Sequence, residues 1–245
     1  MQPVVRLRSA VCLLGQFPAL TGVDLDAAAG EIVLLSGGNG AGKTTLLRLI
    51  AGLARLHGGQ AEVLGHDLAR DRSSHRRELA FVGHETFCYD DLTARENVRF
   101  AARAAGAGAE AADTALQWVG LEASSTVTHA RLSAGQRRRL ALAVAVAREP
   151  RLLLLDEPHA GLDGEGRDVL DAVIAAVAAE NRTVLLASHE LDRTRQLAHR
   201  EVVLTGGQAN GTFEAAQGRQ PSSETTAKKK DRRLEDRSEK VEGTR

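Results

Sequence analysis

Gly37-Gly38-Asn39-Gly40-Ala41-Gly42-Lys43-Thr44-Thr45 is preceded by Glu31-Ile32-Val33-Leu34-Leu35-Ser36 and followed by Leu46-Leu47-Arg48-Leu49-Ile50-Ala51. The flanks read as a buried strand entering and a helix leaving, with Gly52 as the helix stop. The segment between them fits G-x-x-x-x-G-K-[ST], a loop whose successive backbone N–H groups and helix N-terminus form a concavity for phosphate. Lys43 is the single lysine of the first 218 residues, which hold 22 arginines. An ammonium on a flexible stem reaches between two phosphates where a planar guanidinium is too wide. Residues Gly37, Gly38, Asn39, Gly40, Ala41, Gly42, Lys43, Thr44 and Thr45 are therefore expected to bind a nucleotide, with Lys43 at the β- and γ-phosphates. The Thr44 hydroxyl is expected to ligate Mg²⁺.

A second stretch carries complementary chemistry. Arg151-Leu152-Leu153-Leu154-Leu155-Asp156-Glu157 is a run of four leucines ending in two acids. A buried strand should deliver acids only at its mouth, where they meet solvent or ligand. Beside a phosphate loop this predicts Asp156 as a Mg²⁺ ligand through water and Glu157 as the group that polarises an attacking water.

Strand-type apolar runs fall at 4–14, 32–35, 79–82, 152–155, 183–187 and 202–204, with helical stretches between several of them. That alternation predicts an α/β core with a largely parallel sheet. The first 30 residues, with Val23-Asp24-Leu25-Asp26 alternating, predict an N-terminal antiparallel β flank. Residues 93–148 are alanine-rich and helical, with capping boxes at Thr93/Glu96 and Ser133/Gln136. This predicts an inserted helical subdomain, about 85–148.

Composition narrows the function class. The chain has 245 residues, is 43% hydrophobic, and balances 32 basic against 32 acidic residues, which argues against nucleic-acid binding by bulk charge. Residues 219–245 hold nine basic and six acidic groups and almost no apolar ones, a composition that cannot repay the entropy of folding. The expected division is a domain at 1–217 and a charged, disordered tail at 218–245. Cys12 and Cys88 lack metal-type spacing and read as reduced structural thiols. The N-terminus offers Arg6 and Arg8 but no apolar leader, and no apolar run approaches the roughly 18 residues of a membrane span. Work at a membrane would need a partner.

Leu132-Ser133-Ala134-Gly135-Gln136 precedes Arg137-Arg138-Arg139, and a capping box alone explains its Ser and Gln. The series is more telling: the phosphate loop, this segment, the Leu152–Glu157 run, Gly161-Leu162-Asp163, then Ser188-His189. That order resembles the nucleotide-binding domains of ABC transporters over residues 1 to about 210. The resemblance implies a P-loop NTPase fold, ATP and Mg²⁺ as cofactors, and a homodimer that forms on ATP binding. It also implies separate integral-membrane permease subunits, so that the chain sits at the cytoplasmic face of the cell membrane through them. Ser133, Gly135 and Gln136 would contact ATP held by the opposite subunit. Asp163 would bridge the subunits, and His189 would contact the γ-phosphate and support Glu157.

Two positions depart from the family pattern. Leu14 aligns where an aromatic residue usually stacks on adenine, leaving Leu14 or Phe17 as the base contact. In Phe81-Val82-Gly83-His84-Glu85, His84 replaces the usual glutamine, and an imidazole can still bond a metal-bound or attacking water. The Gly83-His84 pair followed by Leu92-Thr93-Ala94-Arg95-Glu96-Asn97 resembles the ATP-binding subunit of the haem exporter used in cytochrome c maturation. The alternatives are the ATPase of another exporter, for a drug or lipid, or a soluble non-transport ABC ATPase. Only 88 residues lie between Lys43 and Leu132, too few for the long coiled-coil insertion of the latter class.

Overall fold

In a computed structural model, which describes residues 3–83 and 85–214, the chain starts as an antiparallel hairpin of β1 (Val5–Leu14) and β2 (Phe17–Ala27). His84 and the tail 218–245 lie outside the described residues. There follow β3 (Ile32–Ser36), α1 (Lys43–Ile50), β4 (Gly58–Val63), β5 (His66–Asp67) and β6 (Leu79–Val82). Helices α2 (Ala94–Ala105), α3 (Ala109–Trp118) and α4 (Ala134–Val146) come next without an intervening strand. The chain then alternates through β7 (Leu152–Asp156), α5 (Gly164–Ala179), β8 (Thr183–Ala187), α6 (Leu191–Leu197), β9 (Arg200–Thr205) and β10 (Gln208–Glu214).

Two sheets result. The larger has the order β10-β9-β3-β8-β7-β6, with β9 to β6 mutually parallel and β10 antiparallel at the edge. The smaller is antiparallel, in the order β2-β1-β4-β5. Side chains alternate across the larger sheet, as the pleat requires. Ile32, Leu34, Leu153, Leu155, Val184 and Leu186 face helices α2 to α5. Val33, Leu35, Leu152, Leu154, Leu185 and Ala187 face α1 and the smaller sheet. Both faces are covered, which is why these strands read as unbroken apolar runs. The four leucines of β7 are all 0% exposed. Each such burial contributes about 2 kcal/mol, enough together to offset carrying Asp156 into the interior at the strand end.

The antiparallel flank is larger than its first 30 residues suggest, because β4 and β5 extend it. These strands and β10 escaped the sequence reading because they are short, polar or glycine-bearing and pair near sheet edges. Cys12 and Cys88 are free thiols, and burial pushes the Cys88 thiol up to about 11. It is no thiolate nucleophile at neutral pH.

The loop from β3 to α1 depends on two glycines. Gly37 has φ +137°, and a Cβ there would sit 2.2 Å from the Leu204 carbonyl oxygen of β9. Gly42 has φ +106°, with the Ala19 carbonyl oxygen 2.8 Å from where a Cβ would be. Gly38, by contrast, has open space around it and no positive φ. Gly37→Ala should therefore lose roughly 2 kcal/mol or more of stability in denaturant unfolding. Gly38→Ala should stay within ~0.5 kcal/mol of the parent; equal losses would show that the close approach to β9 is not what fixes the loop.

Candidate functional site

Helix α1 begins at Lys43 with no side chain capping its N-terminus and no acid in its first turn. Helices α2 and α4 do the opposite, since capping boxes close their first turns with their own side chains. The first amides of α1, like those of α3 and α6, have no side-chain cap, and those of α1 follow directly on the glycine loop. The Lys43 side chain is buried and folds back over the loop, its Nζ donating to Gly37 O (2.8 Å) and Gly38 O (3.1 Å). The loop's own carbonyls hold the ammonium in place over the loop.

The mouth of β7 lies opposite. Thr44 Oγ1 donates to Asp156 Oδ1 at 3.2 Å, bringing a hydroxyl and a buried carboxylate together across 112 residues of sequence. Hard oxygen donors of this kind suit Mg²⁺, which takes one or two protein ligands and completes its shell with phosphate oxygens and water. Among the described residues there is no cluster of three or more His, Cys, Asp or Glu side chains of the kind that cages a metal alone. The donor set fits an ion shared with a nucleotide.

Glu157 adopts a left-handed φ of +49°, rare for a bulky residue and costly unless its surroundings impose it. Its N–H donates to Ala187 O (2.9 Å) at the end of β8. Its carboxylate meets the segment after β8: His189 N donates to Oε2 at 3.1 Å, and His189 Nε2 lies 3.3 Å from Oε1. That Oε1 is buried and has no hydrogen-bond partner of good geometry, which leaves an acceptor unused beside the cleft. Loop, β7 mouth and His189 line one cleft of about 320 Å³, whose walls run from Asn39 to Thr45 and include Asp156, Glu157 and His189.

The remaining candidate residues divide. Leu14 and Ala19 line the cleft, whereas Phe17 is 80% exposed at the hairpin tip and is not among the lining residues. Ser133, Gly135 and Gln136 are not among the cleft's lining residues either. Ser133 is exposed and accepts from Gln136 N (3.2 Å), while Gln136 Oε1 accepts from Ser133 N (2.9 Å) and its Nε2 donates to Ser124 Oγ (3.1 Å). The exposed Asp163 caps α5 by accepting from Gly166 N at 2.8 Å. Arg138, read in sequence only as part of an arginine run, reaches the β7 mouth and donates to Asp156 O (3.1 Å) and Glu157 O (2.8 Å). No sequence signal distinguishes it from Arg137 and Arg139, because α4 is buried nearly all round from Leu140 onward and its helical phase favours none of them.

Comparison with known proteins gives the family. The profile of a family described as ABC transporter matches residues 20–160. The cytochrome c biogenesis ATP-binding export protein of Bordetella bronchiseptica is 40% identical over 212 residues, covering 80% of this chain and 93% of that protein. The protein of the same name from Salmonella paratyphi A is 40% identical over 211 residues, covering 84% of this chain and 99% of the relative. Among solved structures, an ATP-binding subunit of an ABC transporter superposes with a TM-score of 0.79 at 26% identity, covering 86% of this chain and 90% of that one. A dimeric ATP-binding cassette in a post-hydrolysis state, bound to ADP and Pi, shares the fold with a TM-score of 0.79 at 24% identity, covering 87% of this chain and 100% of the other. With relatives matched along nearly their whole length, the chain belongs to the ABC transporter family as an ATP-binding, ATP-hydrolysing subunit of the cytochrome c biogenesis export branch.

Proposed function

We propose that this ATPase powers haem export or delivery for cytochrome c biogenesis, as a pair of subunits held at the cytoplasmic face of the cell membrane by integral-membrane partners. The observation that carries the reading is the match to cytochrome c biogenesis ATP-binding export proteins over 93% and 99% of their length, with the Gly83-His84 and Leu92–Asn97 resemblance pointing to haem as the cargo. Residues 1–217 form the nucleotide-binding domain in this reading, with about 85–148 as its helical subdomain and 218–245 as an appended tail.

The cleft supports the following chemistry. The loop amides and the α1 N-terminus bind the ATP phosphates, and the Lys43 ammonium bridges the β- and γ-groups. Thr44 and Asp156 hold Mg²⁺, which when bound offsets the negative charge of the phosphates. Glu157 accepts a proton from water as the water oxygen attacks the γ-phosphorus, and the bond from phosphorus to the bridging oxygen breaks to leave ADP and phosphate. His189 keeps the Glu157 carboxylate oriented. Leu14 offers the base an aliphatic contact in place of a stacking ring.

Within one chain, Ser133, Gly135 and Gln136 do not line this cleft. A second copy would supply them, with Asp163 near the join, and this is what favours a sandwich dimer. The partner's seat is favoured by exposed aromatics after position 84: Phe87 is 74% exposed, and Tyr89 packs edge-on against the exposed Phe100 at 5.4 Å. Exposed apolar patches of this kind mark protein interfaces. Among the described residues no helix is long and apolar enough to cross a membrane.

Three outcomes test the reading. Glu157→Gln should bind ATP yet hydrolyse it at least ~10²-fold more slowly, the scale of a lost general base. It should also accumulate as a dimer in ATP by size-exclusion chromatography; a near-parental rate of phosphate release would reject the base. Deleting the gene should leave cells with apo-cytochrome c and no holo-cytochrome c, while normal haem staining would point to another exporter's cargo. For His84 the comparison is with the glutamine usual at that position, a side chain that does not titrate: activity of the parent should fall on acidification more than that of the variant. His84→Gln should remain active and lose part of that acid-side fall between pH 5.5 and 8. Superimposable profiles would remove His84 from the chemistry.

A further inference from the structure

Three consecutive arginines follow the first turn of α4, and the fold sends them to different places. Arg137 donates to Ala130 O (2.8 Å), and Arg139 donates to Val119 O (3.1 Å) and Gly120 O (3.4 Å), so both brace helical neighbours. Arg138 points instead at the sheet. Its Nε donates to Pro158 O (3.4 Å), Nη2 to Asp156 O (3.1 Å) and Glu157 O (2.8 Å), and Nη1 to Gly83 O. One guanidinium therefore gathers four main-chain carbonyls. Three are consecutive at the mouth of β7, and the fourth belongs to the residue just before His84.

The contact with Glu157 matters because that residue holds a left-handed backbone. Such a conformation persists only where its neighbours over-determine it. Ala187 O takes the Glu157 N–H, Ala160 N donates to the Glu157 carbonyl at 3.2 Å, and Arg138 donates to the same carbonyl. These contacts fix the backbone from which the Glu157 carboxylate reaches His189. Only a rigid planar fork with five N–H donors spans such a set of acceptors; an ammonium has neither the reach nor the plane. Burial of the guanidinium lowers its pKa, and Asp156 and Glu157 oppose that shift, so the group stays charged.

We propose that Arg138 is a positioning residue that holds Glu157 in its working conformation and ties it to Gly83. The segment leading to His84 and the exposed Phe87 would then be mechanically joined to the hydrolytic carboxylate. This rests on the reading of Glu157 as the base.

The test is a double-mutant cycle on the full-length chain, with kcat and KM for ATP, nucleotide affinity and Tm measured for each variant. Arg138→Gln should lower kcat at least about tenfold, since a misplaced catalytic group is costly, while leaving KM and nucleotide affinity within about twofold. In a Glu157→Gln background, adding Arg138→Gln should lower the residual hydrolysis no further, because the residue acts through Glu157. Arg138→Lys, which keeps the charge without the fork, should also fail to restore kcat, and it carries the same cycle if the glutamine variant does not fold. A parental kcat in Arg138→Gln beside an inactive Glu157→Gln overturns this proposal alone. An equal fold-loss in both backgrounds overturns it too, as the mark of a merely structural residue. A Glu157→Gln enzyme at the parental rate removes the base assignment and this proposal with it.

Discussion

The position of helix α1 between two sheets is the constraint on which the rest of the molecule depends. Leu46, Leu47, Leu49 and Ile50 are fully buried, packed with Val33, Leu35, Leu154 and Leu185 of the larger sheet and with Leu7, Val23 and Leu25 of the smaller one. A helix gripped from two sides cannot turn to relieve its unsatisfied first amides. They are held at the end of the parallel strands, where the loop before α1 must pass within a Cβ's width of β9 at Gly37 and of β2 at Gly42. Burial energy spread over dozens of apolar contacts is thereby converted into a fixed direction for a few N–H groups.

The same economy of position operates at β7. Four leucines carry Asp156 into the interior, where it meets the Thr44 hydroxyl, and the chain then bends sharply through a left-handed Glu157. That bend sends the two acids in different directions. Asp156 turns to the start of α1, whereas Glu157 turns to His189. Strain of this sort is commonly stored where chemistry is done, and here β8 and α4 both contribute the hydrogen bonds that hold it.

Capping chemistry accounts for much of what surrounds the cleft. Ser133 with Gln136, Thr93 with Glu96, and Asp163 each satisfy a helix N-terminus of their own chain. For Ser133 and Asp163 this gives an exposed polar residue a fixed orientation at no cost in unsatisfied groups. A cap of this kind leaves the serine hydroxyl proton free, so it can present a donor outward while its oxygen accepts inward.

The sequence by itself determined the parts whose signals are local. The glycine loop with its lone lysine, the apolar strands that are buried on both faces, the two capping boxes and the acids at the β7 mouth are all set by residues close together in the chain. The family order could be read from those motifs in series. Tertiary structure decided what depends on contacts between distant segments. It placed Leu14 rather than Phe17 at the cleft, brought His189 onto Glu157, and added polar edge strands that no hydrophobic pattern marks. It also chose Arg138 from three identical neighbours. The physical reason is that a hydrogen bond to a main-chain carbonyl leaves no trace in residue identity, since every residue offers the same acceptor. Which arginine finds those acceptors is settled only when α4 packs against the sheet.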